Sequence, residues 1–185
     1  MSASQAWRLD DDSTLIGLAG PRTDLFVDPS DGRTTLNAPR LLNPAPGGDF
    51  QLSARVEVGF ESTYDAGVLL LWGSDDTWAK LCFEFSPQRK PMVVSVVTKG
   101  RSDDANAFTV DGTSVWLRIS ARRDAYAFHA STDGDWWHLV RHFTLAPVGA
   151  DVGFVVQSPL GEGCRATFRD VTYGRSTLQD LRDGS

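Results

Sequence analysis

Apolar and polar side chains alternate along this chain with a period of two, the pattern of strands; the three-to-four-residue recurrence of an amphipathic helix is absent almost everywhere. The clearest stretch runs from Asp65 to Phe85, two apolar runs split by the polar turn Gly73-Ser74-Asp75-Asp76. In the second run Ala79, Leu81, Phe83 and Phe85 share one parity, and Trp78, Lys80, Cys82 and Glu84 share the other. In a strand these parities point to opposite faces. One face is therefore dry core, and the other carries an indole, an ammonium, a thiol and a carboxylate in a row. Such a row is either solvated surface or a binding surface.

The same reading extends to the rest of the chain. Short apolar pieces between Trp7 and Val27 predict two or three short strands, followed by a turn at Asp28-Pro29-Ser30-Asp31-Gly32. Thr34 to Leu42 is extended and interrupted at Pro39, which suits a sheet edge. From Phe50 to Val58, Leu52, Ala54, Val56 and Val58 oppose Gln51, Ser53, Arg55 and Glu57. Met92 to Thr98 is β-branched almost throughout and predicts a strand buried on both faces. Lys99 to Asn106 reads as a polar loop, with a short strand after it at Phe108 to Val110. Val115, Leu117 and Ile119 alternate with Trp116, Arg118 and Ser120. A hairpin centred on Asp133-Gly134 would set Phe128 opposite Leu139 and Ala130 opposite Trp137 in the core. The same register would set His129 opposite His138, and Ser131 opposite Trp136, on the other face. Val152 to Gln157 and Arg165 to Tyr173 are the last strands, with one helical turn expected near Thr177 to Leu181. Roughly a dozen short strands joined by Gly, Pro and Asp turns predict an all-β sandwich or barrel.

Length and charge narrow the classes. A chain of 185 residues is expected to form one domain, residues 1–185, and 41% hydrophobic residues can supply its core. A formal net charge of -6 disfavours nucleic acid and anionic membranes as partners. No run approaches a membrane span and no secretory leader is recognisable, so a cytoplasmic location is expected. The two cysteines, Cys82 and Cys164, read as reduced, buried thiols. Glycine-rich phosphate loops, nucleophile elbows and paired CxxC motifs are all missing.

Several short motifs occur in order: Gly48-Asp49-Phe50, Asp65-Ala66-Gly67, Trp78-Ala79-Lys80 with Glu84, Val97-Thr98 followed by Ser102-Asp103, Trp116-Leu117-Arg118, Ser131-Thr132-Asp133-Gly134 with Trp136 or Trp137, and Gln157-Ser158-Pro159. As an ordered set, over about residues 24–173, they resemble the DUF1349 family, grouped with the concanavalin A-like lectins and glucanases. Some members carry the label "regulation of enolase protein". The resemblance implies a jelly-roll sandwich of two curved antiparallel sheets and no defined activity.

In such a sandwich ligands lie across the hollow face. The expected binding set is Trp78, Lys80, Glu84, Arg118, His129, Trp136, His138 and Gln157, sharing the concave face. An indole there offers an apolar platform for a sugar ring, and charged side chains can hydrogen-bond its hydroxyls. The competing reading makes Lys80, Glu84, Arg55, Glu57 and Arg118 an ion-pair lattice across neighbouring strands. The related glucanases take their carboxylates from a Glu-x-Asp-x-Glu strand, whereas Glu84 is flanked at that spacing by Cys82 and Ser86. His129 and His138 could share a metal ion but have no third ligand of compelling spacing, and the acidic loops at Ser74–Asp76 and Ser102–Asn106 lack the ligand set of a Ca2+ site. The expectation is thus a non-catalytic binding domain for a carbohydrate or similar polyhydroxylated ligand, with no cofactor and no metal. The alternatives are a module that binds a protein partner and, third, a glycan-active hydrolase.

Overall fold

The computed structural model describes residues 6–10, 12–145 and 150–185. Within them lie β1 (Trp7–Leu9), β2 (Leu15–Leu18), β3 (Leu25–Val27), β4 (Thr34–Leu36), β5 (Arg40–Pro44), β6 (Phe50–Gly59), β7 (Ala66–Ser74) and β8 (Thr77–Phe85). They are followed by β9 (Pro91–Lys99), β10 (Arg101–Thr109), β11 (Ser114–Arg122), β12 (Ala125–Ser131), β13 (His138–Thr144), β14 (Asp151–Gln157) and β15 (Arg165–Gly174). A seven-stranded sheet in the order β1-β2-β15-β6-β11-β12-β13 packs on a six-stranded sheet in the order β10-β9-β8-β7-β14-β5. The strand pairs are antiparallel and non-consecutive strands lie side by side, as in a concanavalin A-like jelly roll.

Strand parity places the core where the alternation predicts it. Leu52, Ala54, Val56 and Val58 of β6 meet Ala79, Leu81 and Phe83 of β8, together with Leu117, Ile119 and Phe128. A second apolar layer lies on the other face of the six-stranded sheet. There Val68, Leu70, Trp78, Cys82, Val94, Val96 and Val155 are covered by Leu25, Val27 and Ala38, in and beside the β3-β4 hairpin. This cover is why β9 is apolar on both faces. It is pinned by Ser102 Oγ, which accepts the Val27 N–H at 2.9 Å and lies 2.9 Å from Thr98 Oγ1. The turn at Asp28–Gly32 closes with Gly32 N–H donating to the Asp28 carbonyl, at a φ of 76° that suits glycine.

Three local expectations change. Residues 101–106 are not a loop but run on, with the short strand expected after them, as the edge strand β10, paired with β9 from Arg101 opposite Lys99 onward. Its charged, exposed residues are what keeps a sheet edge from pairing with another chain, and that polarity imitates a loop in sequence. The β12-β13 hairpin closes one residue off the expected register, so Ala130 faces His138 and His129 faces Leu139, and beyond them a bulge at Val140 of β13 sets Phe128 opposite Arg141. The register next to the turn follows from a connection longer than a two-residue turn: Asp133 Oδ1 accepts the N–H groups of Asp135 and Trp136, holding residues 132–137 outside both strands. Finally, residues 177–181 make no helical turn; the chain turns at 181–184 instead.

β14 needs a glycine at its centre. A Cβ on Gly153 would drive into the Leu41 carbonyl of the neighbouring β5, which is backbone and has nowhere to go. Gly153→Ala should therefore destabilise the protein by about 1–3 kcal/mol, read as a lower midpoint in urea, with amide exchange accelerated first along β5.

Candidate functional site

The outer face of the six-stranded sheet opens into a pocket of about 300 Å³ lined by Asp24, Phe26, Asp28, Tyr64, Lys80, Glu84, Val94, Val96, Asp104, Gln157 and Pro159. Cross-strand rows bring these groups together. Lys80, Val96 and Asp104 lie side by side on β8, β9 and β10, and Gln157, Ala66 and Glu84 on β14, β7 and β8. The β3-β4 hairpin covers the Trp78 end of this face, and Asp24 and Phe26 form one wall. A hollow of about 420 Å³ on the other side of that hairpin has Arg40 as its only ionisable lining residue among the described residues, so it offers little chemistry.

Lys80 is the polar centre of the floor. It is 2% exposed, its Nζ donates to Gln157 Oε1 at 3.0 Å, and it lies 3.5 Å from Asp24 Oδ1. Its ammonium is 5.9 Å from the Phe26 ring and 5.8 Å from that of Trp78. Burial alone would lower its pKa. The opposing charge of Asp24, with a smaller push from Glu84, outweighs this and holds Lys80 above the ordinary lysine value. Glu84 has no hydrogen-bond or ion-pair partner among the described residues. Burial pushes its carboxyl up to about 7; Lys80 opposes the rise, and the like charges of Asp24 and Asp104 add to it. The Cys82 thiol is also pushed up by burial, away from reactivity.

The rim is braced by a buried carboxylate. Asp65, fully enclosed, accepts from Ser158 Oγ at 2.6 Å and from the N–H groups of Glu61 and Ser62 at 2.9 and 2.8 Å. These bonds tie the loop before β7 to the one after β14. Tyr64, within the first of these loops, has a φ of 71°, a left-handed backbone that costs a non-glycine residue about 1–3 kcal/mol. Its N–H donates to the Phe85 carbonyl, which keeps the residue at the pocket edge.

The eight side chains expected on one face are divided by the structure. Lys80, Glu84 and Gln157 converge in the pocket. Trp78 shares their face but is 0% exposed, stacked on Trp72 with centroids 6.4 Å apart, so it is core and offers no platform. Arg118 and His129 lie on the outer face of the opposite sheet, beneath the C-terminal segment. Arg118 Nη2 donates to the Gly184 carbonyl at 2.6 Å, and its guanidinium sits 4.1 Å from the Trp137 ring. Burial lowers the Arg118 pKa to about 10. His129 Nε2 lies 2.7 Å from the Leu181 carbonyl oxygen; burial, helped by nearby Arg118, depresses its pKa to about 4, which leaves it neutral and a hydrogen donor at that nitrogen. Trp136 is 66% exposed in the 132–137 connection, and His138 turns to Phe108, edge to face at 5.4 Å. The expected opposition of His129 and His138 fails because the 132–137 connection is longer than a two-residue turn and closes the hairpin one residue out of that register.

The ion-pair lattice across β6, β8 and β11 is likewise not formed: Glu57 pairs with Arg169 at 2.6 Å, and Arg55 reaches Ser114 Oγ. Among the described residues no group of three or more His, Cys, Asp or Glu side chains is placed to hold a metal ion, and no helix is long and apolar enough to cross a membrane. Both cysteines are free and buried. Sequence reasoning missed Asp24, Phe26, Tyr64 and Asp104. The turn residues after Phe26 marked a hairpin without showing where it folds, and the polarity of β10 concealed that Asp104 faces the sheet row of Lys80.

The fold recurs among solved structures. A functionally unknown protein from Saccharomyces cerevisiae superimposes with a TM-score of 0.82 at 24% identity, covering 96% of this chain and 100% of the yeast chain. A xylan β-1,4-xylosidase from Bacillus halodurans gives 0.72 at 14% identity over 90% of this chain but 34% of its own, so this chain spans about a third of that enzyme. An alginate lyase from Klebsiella pneumoniae gives 0.59 at 14% identity, covering 92% of this chain and 84% of the lyase. No curated protein matches the chain. The sequence itself matches the profile described as a protein of unknown function, DUF1349, over residues 1–176. With nearly its whole length matched and the sandwich topology in place, the chain belongs to the DUF1349 family.

Proposed function

We propose that this protein is a non-catalytic binding domain that holds a small polyhydroxylated ligand, carbohydrate in chemistry, in the pocket on the outer face of the six-stranded sheet. The observation that carries this reading is the floor of the pocket: a buried Lys80 held by Gln157 and Asp24, beside a Glu84 carboxylate that faces the cavity without a partner. Hydroxyl groups both donate and accept, and this floor offers fixed groups of each kind. Phe26 and Tyr64 supply apolar faces on which the C–H side of a sugar ring can rest. A volume of about 300 Å³ suits one sugar residue. The likeness of the sandwich to proteins named for xylan and alginate agrees with this chemistry.

Calorimetric titration with neutral, amino and acidic monosaccharides at millimolar concentration tests it. Wild type should bind at least one class, and Lys80→Met should weaken that binding by about 10- to 100-fold through loss of a charge-assisted hydrogen bond. Methionine fills the lysine's volume, so the variant should keep its fold. Failure of the wild type to bind any of them would remove the proposal.

A further inference from the structure

We infer that the pocket prefers a cationic ligand, an amine-bearing sugar whose ammonium sits against Glu84. The inference rests on the pocket being a polyol site and adds the charge of the ligand. Four carboxylates line the cavity, Asp24, Asp28, Asp104 and Glu84, against the single cation Lys80. Two are already engaged. Asp24 lies against Lys80, and Asp28 Oδ1 accepts the N–H groups of Ser30 and Asp31 in its own turn. Glu84 and Asp104 have no hydrogen-bond or ion-pair partner among the described residues.

Glu84 is half-buried and its carboxylate opens onto the cavity. An unpartnered carboxylate in that position is costly in its charged form, and a cation entering the cavity relieves the cost. The Phe26 wall already accommodates the Lys80 ammonium, so a second ammonium would meet a compatible surface. A metal ion fits less well than an ammonium, because the carboxylates do not gather into a coordinating group among the described residues. An ammonium needs only one or two acceptors at hydrogen-bond distance, with sugar hydroxyls satisfying the rest of the floor.

Glu84 must be ionised to receive this cation, and it is the group whose charge changes near neutral pH. The groups around it are Lys80 and Cys82 on its own strand, Asp24 and Asp28 from the covering hairpin, Asp104 from β10 and Tyr64 from the rim. Lys80 stays charged and Cys82 stays neutral over that range. Binding of an ammonium should therefore strengthen as pH rises from 5.5 to 7, by about tenfold, while binding of an uncharged sugar should not.

The test titrates the full chain with glucosamine, glucose, glucuronate and methylammonium at pH 5.5 and 7. Glucosamine should bind about tenfold or more tightly than glucose at pH 7 and glucuronate most weakly. Glu84→Gln, with its fold checked by circular dichroism, should bring glucosamine to the level of glucose and remove the pH dependence. Equal affinity for glucosamine and glucose overturns the ammonium site and leaves the sugar reading standing. Methylammonium binding as tightly as glucosamine overturns the sugar reading and the amino-sugar inference built on it. Absence of binding by all four overturns both.

Discussion

Trp78→Ala is expected to lower the free energy of unfolding by about 3–5 kcal/mol, the largest loss from any single residue of the pocket face. Trp78 is 0% exposed, stacks on Trp72 and is roofed by the β3-β4 hairpin. Truncation leaves a cavity that backbone on two sides prevents from collapsing: β8 lies between β7 and β9, and the hairpin is pinned by Ser102. Urea denaturation followed by intrinsic fluorescence and circular dichroism reads the effect as a shifted midpoint. Any loss of ligand by this variant would follow from loosening of the hairpin that carries Asp24 and Phe26. Near-wild-type stability combined with lost binding would instead make the indole a sugar platform and contradict its burial.

Glu84→Gln should make stability less dependent on pH, and the sign follows from the direction of the shift. The carboxyl rises from 4.5 to about 7 in the folded protein, with burial as the main cause. The folded state therefore holds this proton more tightly than the unfolded chain does. The stability so contributed is full below the unfolded value near 4.5 and is lost as pH rises through about 7. Glutamine never ionises, so wild type and variant should differ little at pH 4, and the variant should be more stable at pH 8 by roughly 3 kcal/mol. The comparison is a pair of denaturation series in urea across that range. A difference that stays constant with pH would mean that Glu84 is freely solvated, and would remove the electrostatic basis of cation selection. The same substitution abolishes the proposed ammonium contact, so greater stability and weaker binding should appear together, a trade familiar where a site is held in a strained state.

Parity in the sequence sufficed for the architecture. The alternation at Ala79, Leu81 and Phe83, repeated at Leu52 to Val58 and at Val115 to Ile119, is a local consequence of strand geometry, and each set lies in the core between the sheets. The β-branched run in β9 announced that both of its faces are covered. Parity also placed Trp78, Lys80, Cys82 and Glu84 on one face, and β14, beyond β7, adds Gln157 to it.

What alternation along a strand cannot tell is which sheet a face belongs to and what lies on top of it. Arg118 and His129 have the same outward parity as Lys80, yet their strands belong to the opposite sheet, so the sandwich lies between the two groups. The register of His129 depended on the length of the 132–137 connection and on how it bonds its own backbone.

Sequence by itself therefore determined the all-β character, the inward and outward sides of the main strands, and the polar row on β8, because these follow from interactions between residues close along the chain. Only the tertiary structure decided that Trp78 is roofed, that Asp24, Phe26, Tyr64 and Asp104 join Lys80 and Glu84, and that Arg118 does not. Those outcomes depend on contacts between segments dozens of residues apart, whose free energy comes from packing one apolar surface on another and leaves no periodic trace in either segment alone.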